Sequence, residues 1–198
     1  MMPIRYASQH PGRSNRGPIT GSLALTADRR KRSRAQAMTE FAIVAPVLFF
    51  LLLGIFESGL LLFVVGTARW STAEVARQES ESGNAANADS VSIAVLRKSA
   101  IGTTTLGSVV EIDVYHLIEQ VNGTLTVDAN KYNRYDINGN PIVPITWPSP
   151  TRNVRNGQSD FLGITLHYKY NWKTGVFLSG APLQLQQLYE IRLEPQTY

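Results

Sequence analysis

A long run almost free of charge near the N-terminus limits what this chain can fold into more than any other feature. From Phe41 to Ala68 the only ionisable side chain is Glu57. As a helix, these 28 residues would extend roughly 42 Å, whereas the hydrocarbon core of a bilayer is about 30 Å thick. We therefore predict a helix that spans a membrane over about residues 41–66.

Basic residues are concentrated in front of this run. Residues 1–35 carry eight Lys/Arg side chains against Asp28 alone, whereas the rest of the chain carries eleven basic and fourteen acidic residues. The high pI therefore belongs to a leader, which its Arg, Ser, Gly and Pro content predicts to be disordered. The positive-inside rule keeps the N-terminus in the cytoplasm and the C-terminus outside. A nucleic-acid or nuclear-localisation patch and a twin-arginine export signal are the competing interpretations. Because a long span follows directly, we expect no nucleic-acid partner.

The helical pattern continues beyond the predicted span. Arg69 and Trp70 combine a long cation with an aromatic ring, which is typical of the lipid headgroup level. The pattern starts near Thr39 and stops before Gly83, a residue that commonly ends helices. We predict one long helix within residues 36–82.

The rest of the chain, residues 83–198, is predicted to be a small extracytoplasmic domain. Ser90 is a candidate N-cap for a short helix, and the period then changes from 3.6 to 2, which is typical of half-buried strands. The predicted helix covers residues 91–100, and the alternating runs cover residues 110–115, 162–170 and 183–193, with a shorter candidate at 124–127. The predicted fold class is α+β, in which a long N-terminal transmembrane helix extends into a small domain with a short helix and an antiparallel β-sheet.

Motifs for catalysis and cofactor binding are absent from the sequence. It contains no Gly-rich phosphate loop, no H-E-x-x-H pair, no G-x-S-x-G elbow and no cysteine. His116 and His167 have no carboxylate or second histidine at metal-ligand spacing. We therefore expect no catalytic residue, no cofactor and no metal, and a protein that is not an enzyme. A membrane-anchored enzyme with an unrecognised site is the alternative in this class.

Two carboxylates within and beside the apolar run are the informative polar residues, because a carboxylate in hydrocarbon costs a few kcal/mol and usually has a function. Glu40 lies at the edge of the run, where a polar flank is the competing interpretation. Glu57 lies either near the opposite interface or beside a partner in another subunit. Gly54 and Ser58 form a small-x-x-x-small pair that lets a neighbouring helix approach closely. We predict intramembrane helix contacts at Gly54, Glu57 and Ser58.

The residues around the run resemble a type IV prepilin-like signal. Basic residues are followed by Ala-Gln-Ala-Met-Thr-Glu-Phe at residues 35–41 and then by the apolar helix. The pattern Gln-Ala-x-x-Glu-Phe-Ala-x-x-x-Pro, with a later Gly-Ile-Phe-Glu-Ser-Gly, is similar to the TadE-like pseudopilins, minor pilins of the tight-adherence (Tad/Flp, type IVb) pilus system. The resemblance covers about residues 34–198 and is strongest over residues 34–77.

This resemblance implies a processing site at Ala35, Gln36, Glu40 and Phe41. A membrane-bound prepilin peptidase would cut between Ala35 and Gln36, although the family usually has glycine where this chain has Ala35. The cut would leave an α-ammonium group on Gln36, and Glu40 of the same or an adjacent subunit is its implied counter-ion.

The resemblance also implies a function, a minor pilin-like structural or assembly protein. It would start as a single-pass protein of the inner membrane, N-terminus inside and C-terminal domain outside, and can be incorporated into an extracellular pilus. Its implied partners are the prepilin peptidase, other pilin or pseudopilin subunits, the inner-membrane pilus machinery and membrane lipid. The alternative is an uncleaved single-pass protein that tethers an extracytoplasmic binding domain.

Overall fold

One long helix, α1 (Gly21–Ser82), contains the whole apolar run. The computed structural model describes the backbone of residues 21–175 and 181–196, and side chains from Arg34 onward. The helix ends at Ser82 as predicted but begins well before Thr39. Extending an existing helix costs little where the sequence offers Leu, Ala, Arg and Lys without an interrupting proline. Disorder was predicted for the whole leader, residues 1–35, but α1 includes residues 21–35, and residues 1–20 lie outside the described residues.

The chain divides into two compact units, with the boundary between Phe49 and Phe50. In the second unit, one face of α1 packs against the rest of the domain. Its buried positions recur every three or four residues, which is the period of one helix face. They include Glu57, Val64, Ala68, Thr72, Val75, Ala76 and Glu79.

The face of α1 packs on a four-stranded antiparallel sheet. The strands are β1 (Gly107–Glu119), β2 (Leu125–Tyr135), β3 (Phe161–Tyr170) and β4 (Leu183–Arg192), in the spatial order β2-β1-β3-β4. The central strand β3 buries every second side chain against the helix, as its period of 2 predicted. This arrangement confirms the predicted α+β class.

Two short helices connect α1 to the sheet, α2 (Ala88–Lys98) and α3 (Ala100–Thr103). Ser90 does not cap α2, because its hydroxyl donates to the carbonyl of Asn87 at 2.8 Å and Asn87 occupies the N-cap position. The loop between β2 and β3 contains a single 3₁₀ turn, Ser149–Thr151.

The helix and the sheet lie side by side, so each end of the sheet meets a different part of α1. Tyr170, at the end of β3, hydrogen bonds to Glu57, and Gly107 at the start of β1 approaches Val64. At the other end, the hydroxyl of Ser80 donates to the carbonyl of Arg192 at 2.8 Å.

Candidate functional site: the N-terminal helix and its carboxylates

The four residues of the predicted processing site lie on one exposed stretch of α1. The amide Nε2 of Gln36 donates to Oε1 of Glu40 at 3.0 Å, across one helical turn. The hydroxyl of Thr39 donates to the carbonyl of Ala35 at 2.9 Å, and Phe41 is largely exposed. The structure thus brings the side chains of Gln36 and Glu40 together.

The apolar residues that follow are exposed on every side of the helix. The large side chains from Phe41 to Phe56 expose between 38% and 71% of their surface. Within the part of the chain that the structure describes, the segment Arg34–Ser82 is the one helix long and apolar enough to cross a membrane. So large an apolar surface needs lipid or another subunit to cover it, and the protein is membrane-anchored.

Gly54, Glu57 and Ser58 all lie on α1, but Ser58 is exposed whereas Glu57 faces the sheet. The hydroxyl of Ser58 donates to the carbonyl of Gly54 at 2.8 Å, and the Ser58 side chain is exposed. The predicted helix contact at Gly54 and Ser58 stays a prediction. Glu57 is only 1% exposed, because it faces the sheet of its own domain.

Groups from three other residues of the same chain hydrogen bond to the carboxylate of Glu57. The phenol of Tyr170 donates to Oε1. The backbone N–H of Lys173 lies 3.1 Å from Oε1 and 3.3 Å from Oε2, and the N–H of Thr174 lies 2.8 Å from Oε2. Burial and the hydrogen bond to Glu57 raise the pKa of Tyr170 to about 12. Glu57 therefore fastens the turn after β3 to the helix.

A second buried carboxylate of α1 belongs to an ion-paired network. Nη1 of Arg152 lies 2.8 Å from Oε2 of Glu79, and Nη2 lies 2.5 Å from Oδ1 of Asp89. The Arg152 guanidinium also stacks over the ring of Trp147, 4.6 Å from its centroid. Asp89 further accepts hydrogen bonds from Tyr135, Asn133 and Ser149.

This network contains two carboxylates and one arginine. Burial, together with the nearby charge of Asp89, raises the pKa of Glu79 from its ordinary value of 4.5 to about 7, against the opposing effect of Arg152. The guanidinium of Arg152 contacts both carboxylates and so joins α1, α2 and the loop after β2. The network holds the membrane helix in place on the domain.

A third cluster lies on the face of the sheet away from α1. Asp113 accepts hydrogen bonds from Tyr132, from Nε of Arg134 at 2.9 Å and from Nε2 of His167 at 3.0 Å. Glu111, Asp113 and His167 each offer one possible metal ligand atom, within 4.8 Å of one another. Arg134 already supplies a positive charge there, and its hydrogen bonds to Tyr132 and Asp113 raise its pKa. Asp113 faces away from the core, and its side chain is buried by these partners.

Tertiary contacts also give His116 carboxylate neighbours that sequence spacing did not indicate. Its Nδ1 lies 3.3 Å from Asp128 and its Nε2 lies 3.5 Å from Asp160. Trp147 packs edge-on against its ring, with centroids 5.3 Å apart. These contacts come from three different strands and loops, so no local motif could have revealed them.

Sequence reasoning found Glu57 but missed its partners, and it missed the network around Arg152 entirely. The signal available for Glu57 was a lone acid in an apolar run. Glu79, Asp89 and Arg152 are ordinary polar residues in their local sequence, and only their 0–7% exposed fractions distinguish them.

Comparison with known proteins adds one finding. Residues 35–77 match the family model described as TadE-like protein. The match begins at Ala35, includes the apolar run with Glu40 and Glu57, and confirms the resemblance that the motif indicated. Neither a curated protein nor a solved structure matches the chain.

Proposed function

We propose that this chain, a TadE-like protein through residues 35–77, is a minor pilin-like structural and assembly protein of a tight-adherence type IV pilus. TadE-like proteins are associated with Tad pilus systems. The observation that carries the proposal is the extent of the family match, which starts at the residue before the proposed cut and follows α1 onto the domain. The role is structural rather than catalytic.

In this proposal a prepilin peptidase cuts between Ala35 and Gln36. The cut removes the basic leader and leaves an α-ammonium group at the new end of the helix. Glu40 lies one turn away, and the 3.0 Å contact between the Gln36 and Glu40 side chains supports this pairing, because it puts the carboxylate beside the new terminus. A carboxylate in the first turn of a helix also interacts favourably with the helix dipole.

The new charge pair would act during assembly. The α-ammonium of one subunit and Glu40 of the same or an adjacent subunit neutralise each other in an apolar bundle, which offsets part of the cost of burying both charges. A register error would leave a buried charge without a partner, so the pair would set the stagger between subunits. Before assembly the subunit would lie in the inner membrane with its C-terminal domain outside.

The test measures the mature N-terminus by mass spectrometry and counts pili for Glu40→Gln. We expect the mature chain to begin at Gln36, and to begin at Met1 when the peptidase is deleted. Glu40→Gln should insert normally but reduce pilus number at least about ten-fold, because one lost charge pairing in an apolar bundle exceeds 1.4 kcal/mol. Glu74→Gln is the matched control, since Glu74 lies on the same helix in an exposed pair with Arg77.

Two results would contradict the proposal. An intact Met1 terminus in cells that assemble pili would favour the uncleaved membrane-tethered binding domain. Normal pilus numbers with Glu40→Gln would show that the charge pair does not guide assembly.

A further inference from the structure

The contacts of Glu57 limit the level on α1 at which the helix can leave the hydrocarbon of the bilayer. The carboxylate is bonded to the turn after β3, residues 171–175, whose backbone is neither helix nor strand over most of its length. Irregular backbone exposed to lipid does not occur within the hydrocarbon region, because its unpaired N–H and C=O groups have no water there. The level of Glu57 on α1 must therefore lie outside the hydrocarbon.

From this geometry we propose that the membrane surface lies at Glu57 rather than near Gly66, and that the turn at residues 171–175 rests on the lipid headgroups. Glu57 acts as a positioning residue, because it fastens this turn to the helix at the depth where the helix leaves the lipid. The partner of this end of the domain is a phospholipid surface.

The remaining apolar segment is long enough for the shorter span. The sixteen residues from 41 to 56 extend about 24 Å as a helix. Slight thinning of the bilayer, and the long side chain of Arg34 reaching to the headgroups on the opposite side, make up the difference from about 30 Å.

The turn carries residue types that suit a headgroup layer. Lys173 is exposed, and its Nζ donates to the carbonyl of Thr105 at 2.9 Å, which joins this turn to the segment before β1. Trp172 is half-buried against the Tyr170 ring, with centroids 5.3 Å apart. Tryptophan and lysine are enriched where a protein meets the membrane–water interface.

The opposite end of the sheet lies far from this surface. The strand β1 has thirteen residues between Gly107 and Glu119, or roughly 40 Å at about 3.3 Å per residue. The turn that contains Asn122 follows Glu119 and joins β1 to β2. Asn122 therefore lies far from the proposed membrane surface and serves as an internal reference position.

The first experiment measures water exposure along α1 with single cysteines. The chain has no cysteine of its own, so each introduced thiol reacts alone. Phe49 and Phe63 are similarly exposed in the structure, 63% and 53%. A difference in labelling rate between cysteines at these two positions therefore shows which of them lipid covers. Phe49→Cys, Phe63→Cys and the exposed reference Ser90→Cys are made in the full chain. Each is reconstituted at high dilution in phosphatidylcholine and phosphatidylglycerol vesicles and treated with an impermeant maleimide.

We expect Phe63→Cys to react at a rate close to that of Ser90→Cys and at least about ten-fold faster than Phe49→Cys. The reactive species is the thiolate, and hydrocarbon suppresses its formation. Equal protection of positions 49 and 63 would overturn the proposal and restore the span over residues 41–66. Because the vesicles contain neither peptidase nor pilus, this result is independent of the proposed function.

The second experiment places a fluorophore at Lys173→Cys or at Asn122→Cys and adds lipid with a nitroxide in its headgroup. Quenching should be strong at position 173 and weak at position 122. Equal quenching at both positions would overturn the headgroup contact.

Amide exchange tests the role of Glu57 itself. Glu57→Gln should accelerate exchange at Lys173 and Thr174 about ten-fold, because the new NH₂ group faces N–H donors instead of accepting from them. Ser58→Ala is the neighbouring control and should leave both rates unchanged. Unchanged exchange with Glu57→Gln would show that the turn does not depend on this carboxylate.

Discussion

Both halves of α1 contain apolar side chains, but the surroundings of these side chains are opposite. From Arg34 to Phe56 the side chains are exposed all round the helix, whereas from Glu57 onward one face is buried against the sheet. Hydrophobicity alone therefore does not decide what a helix segment packs on. The apolar surface of the front half needs lipid or another subunit to cover it. The buried face of the rear half packs against the sheet of the same chain.

The carboxylates show the same contrast. Glu40 in the front half is exposed and contacts only Gln36 among the interactions described for it. Glu57 and Glu79 in the rear half are buried, and each is bonded to groups far away in the sequence. Glu40 is available to another molecule, while the buried carboxylates of Glu57 and Glu79 hold the domain together.

The largest loss of stability is expected from substitution of Arg152, which contacts the rear half of the helix through Glu79. This substitution is the strongest test of the contrast between the two halves. Arg152→Ala removes the cation that faces Glu79 and Asp89 and should lower the free energy of unfolding by about 3–5 kcal/mol. Urea unfolding of the full chain in detergent, followed by tryptophan fluorescence, measures this change. Arg155→Ala, three residues further on and exposed, should change stability by less than about 0.5 kcal/mol. Equal stability of the two variants would mean that the network does not hold the helix.

The next effect concerns pH. The folded state binds a proton at Glu79 more tightly than the unfolded chain does, with a pKa of about 7 rather than 4.5. The stability from this group is therefore complete below about pH 4.5 and is lost as the pH rises through about 7. The expected loss is on the order of 3 kcal/mol.

Unfolding curves between about pH 4.5 and 8 test this prediction against Glu79→Gln. The variant cannot titrate at this position, so its stability should depend less on pH than that of the unchanged chain. Parallel pH profiles for the two proteins would contradict the assigned role of Glu79.

The smallest effects come from single apolar side chains in the two halves of the helix. Val64 is fully buried against the sheet, and Val64→Ala should cost about 1–2 kcal/mol. Phe49→Ala removes a larger side chain from the front half, yet should change the unfolding of the domain by less than about 0.5 kcal/mol. Thermal unfolding in detergent compares them, and a larger cost for Phe49→Ala would show that the front half contributes to the domain's own core.

Much of the fold followed from local patterns. The period of 3.6 predicted the end of α1, and the period of 2 predicted the strands that contain Leu162 and Leu185, because a half-buried element shows its buried face in the sequence. The strand β2 was predicted too short, at residues 124–127, since its edge position lets polar residues such as Asn130 and Lys131 occupy it. The start of α1 at Gly21 was missed because the leader's composition resembled that of a disordered segment.

The candidate site divides in the same way. The motif from Ala35 to Phe41 and the isolated Glu57 were visible in the sequence, because a carboxylate in an apolar run is unusual wherever the chain folds. The donors that Glu57 accepts from lie more than one hundred residues away, and no local spacing connects them.

The sequence by itself determined that the chain has an apolar anchor, a TadE-like N-terminal segment and an α+β domain. Each of these depends on composition or on spacing between near neighbours along the chain. Only the tertiary structure decided which carboxylate is exposed to other molecules, Glu40, and which are bonded within the chain, Glu57 and Glu79. That choice depends on which strand end and which loop the fold brings to each turn of the helix, and on the cost of burying a charge without partners there.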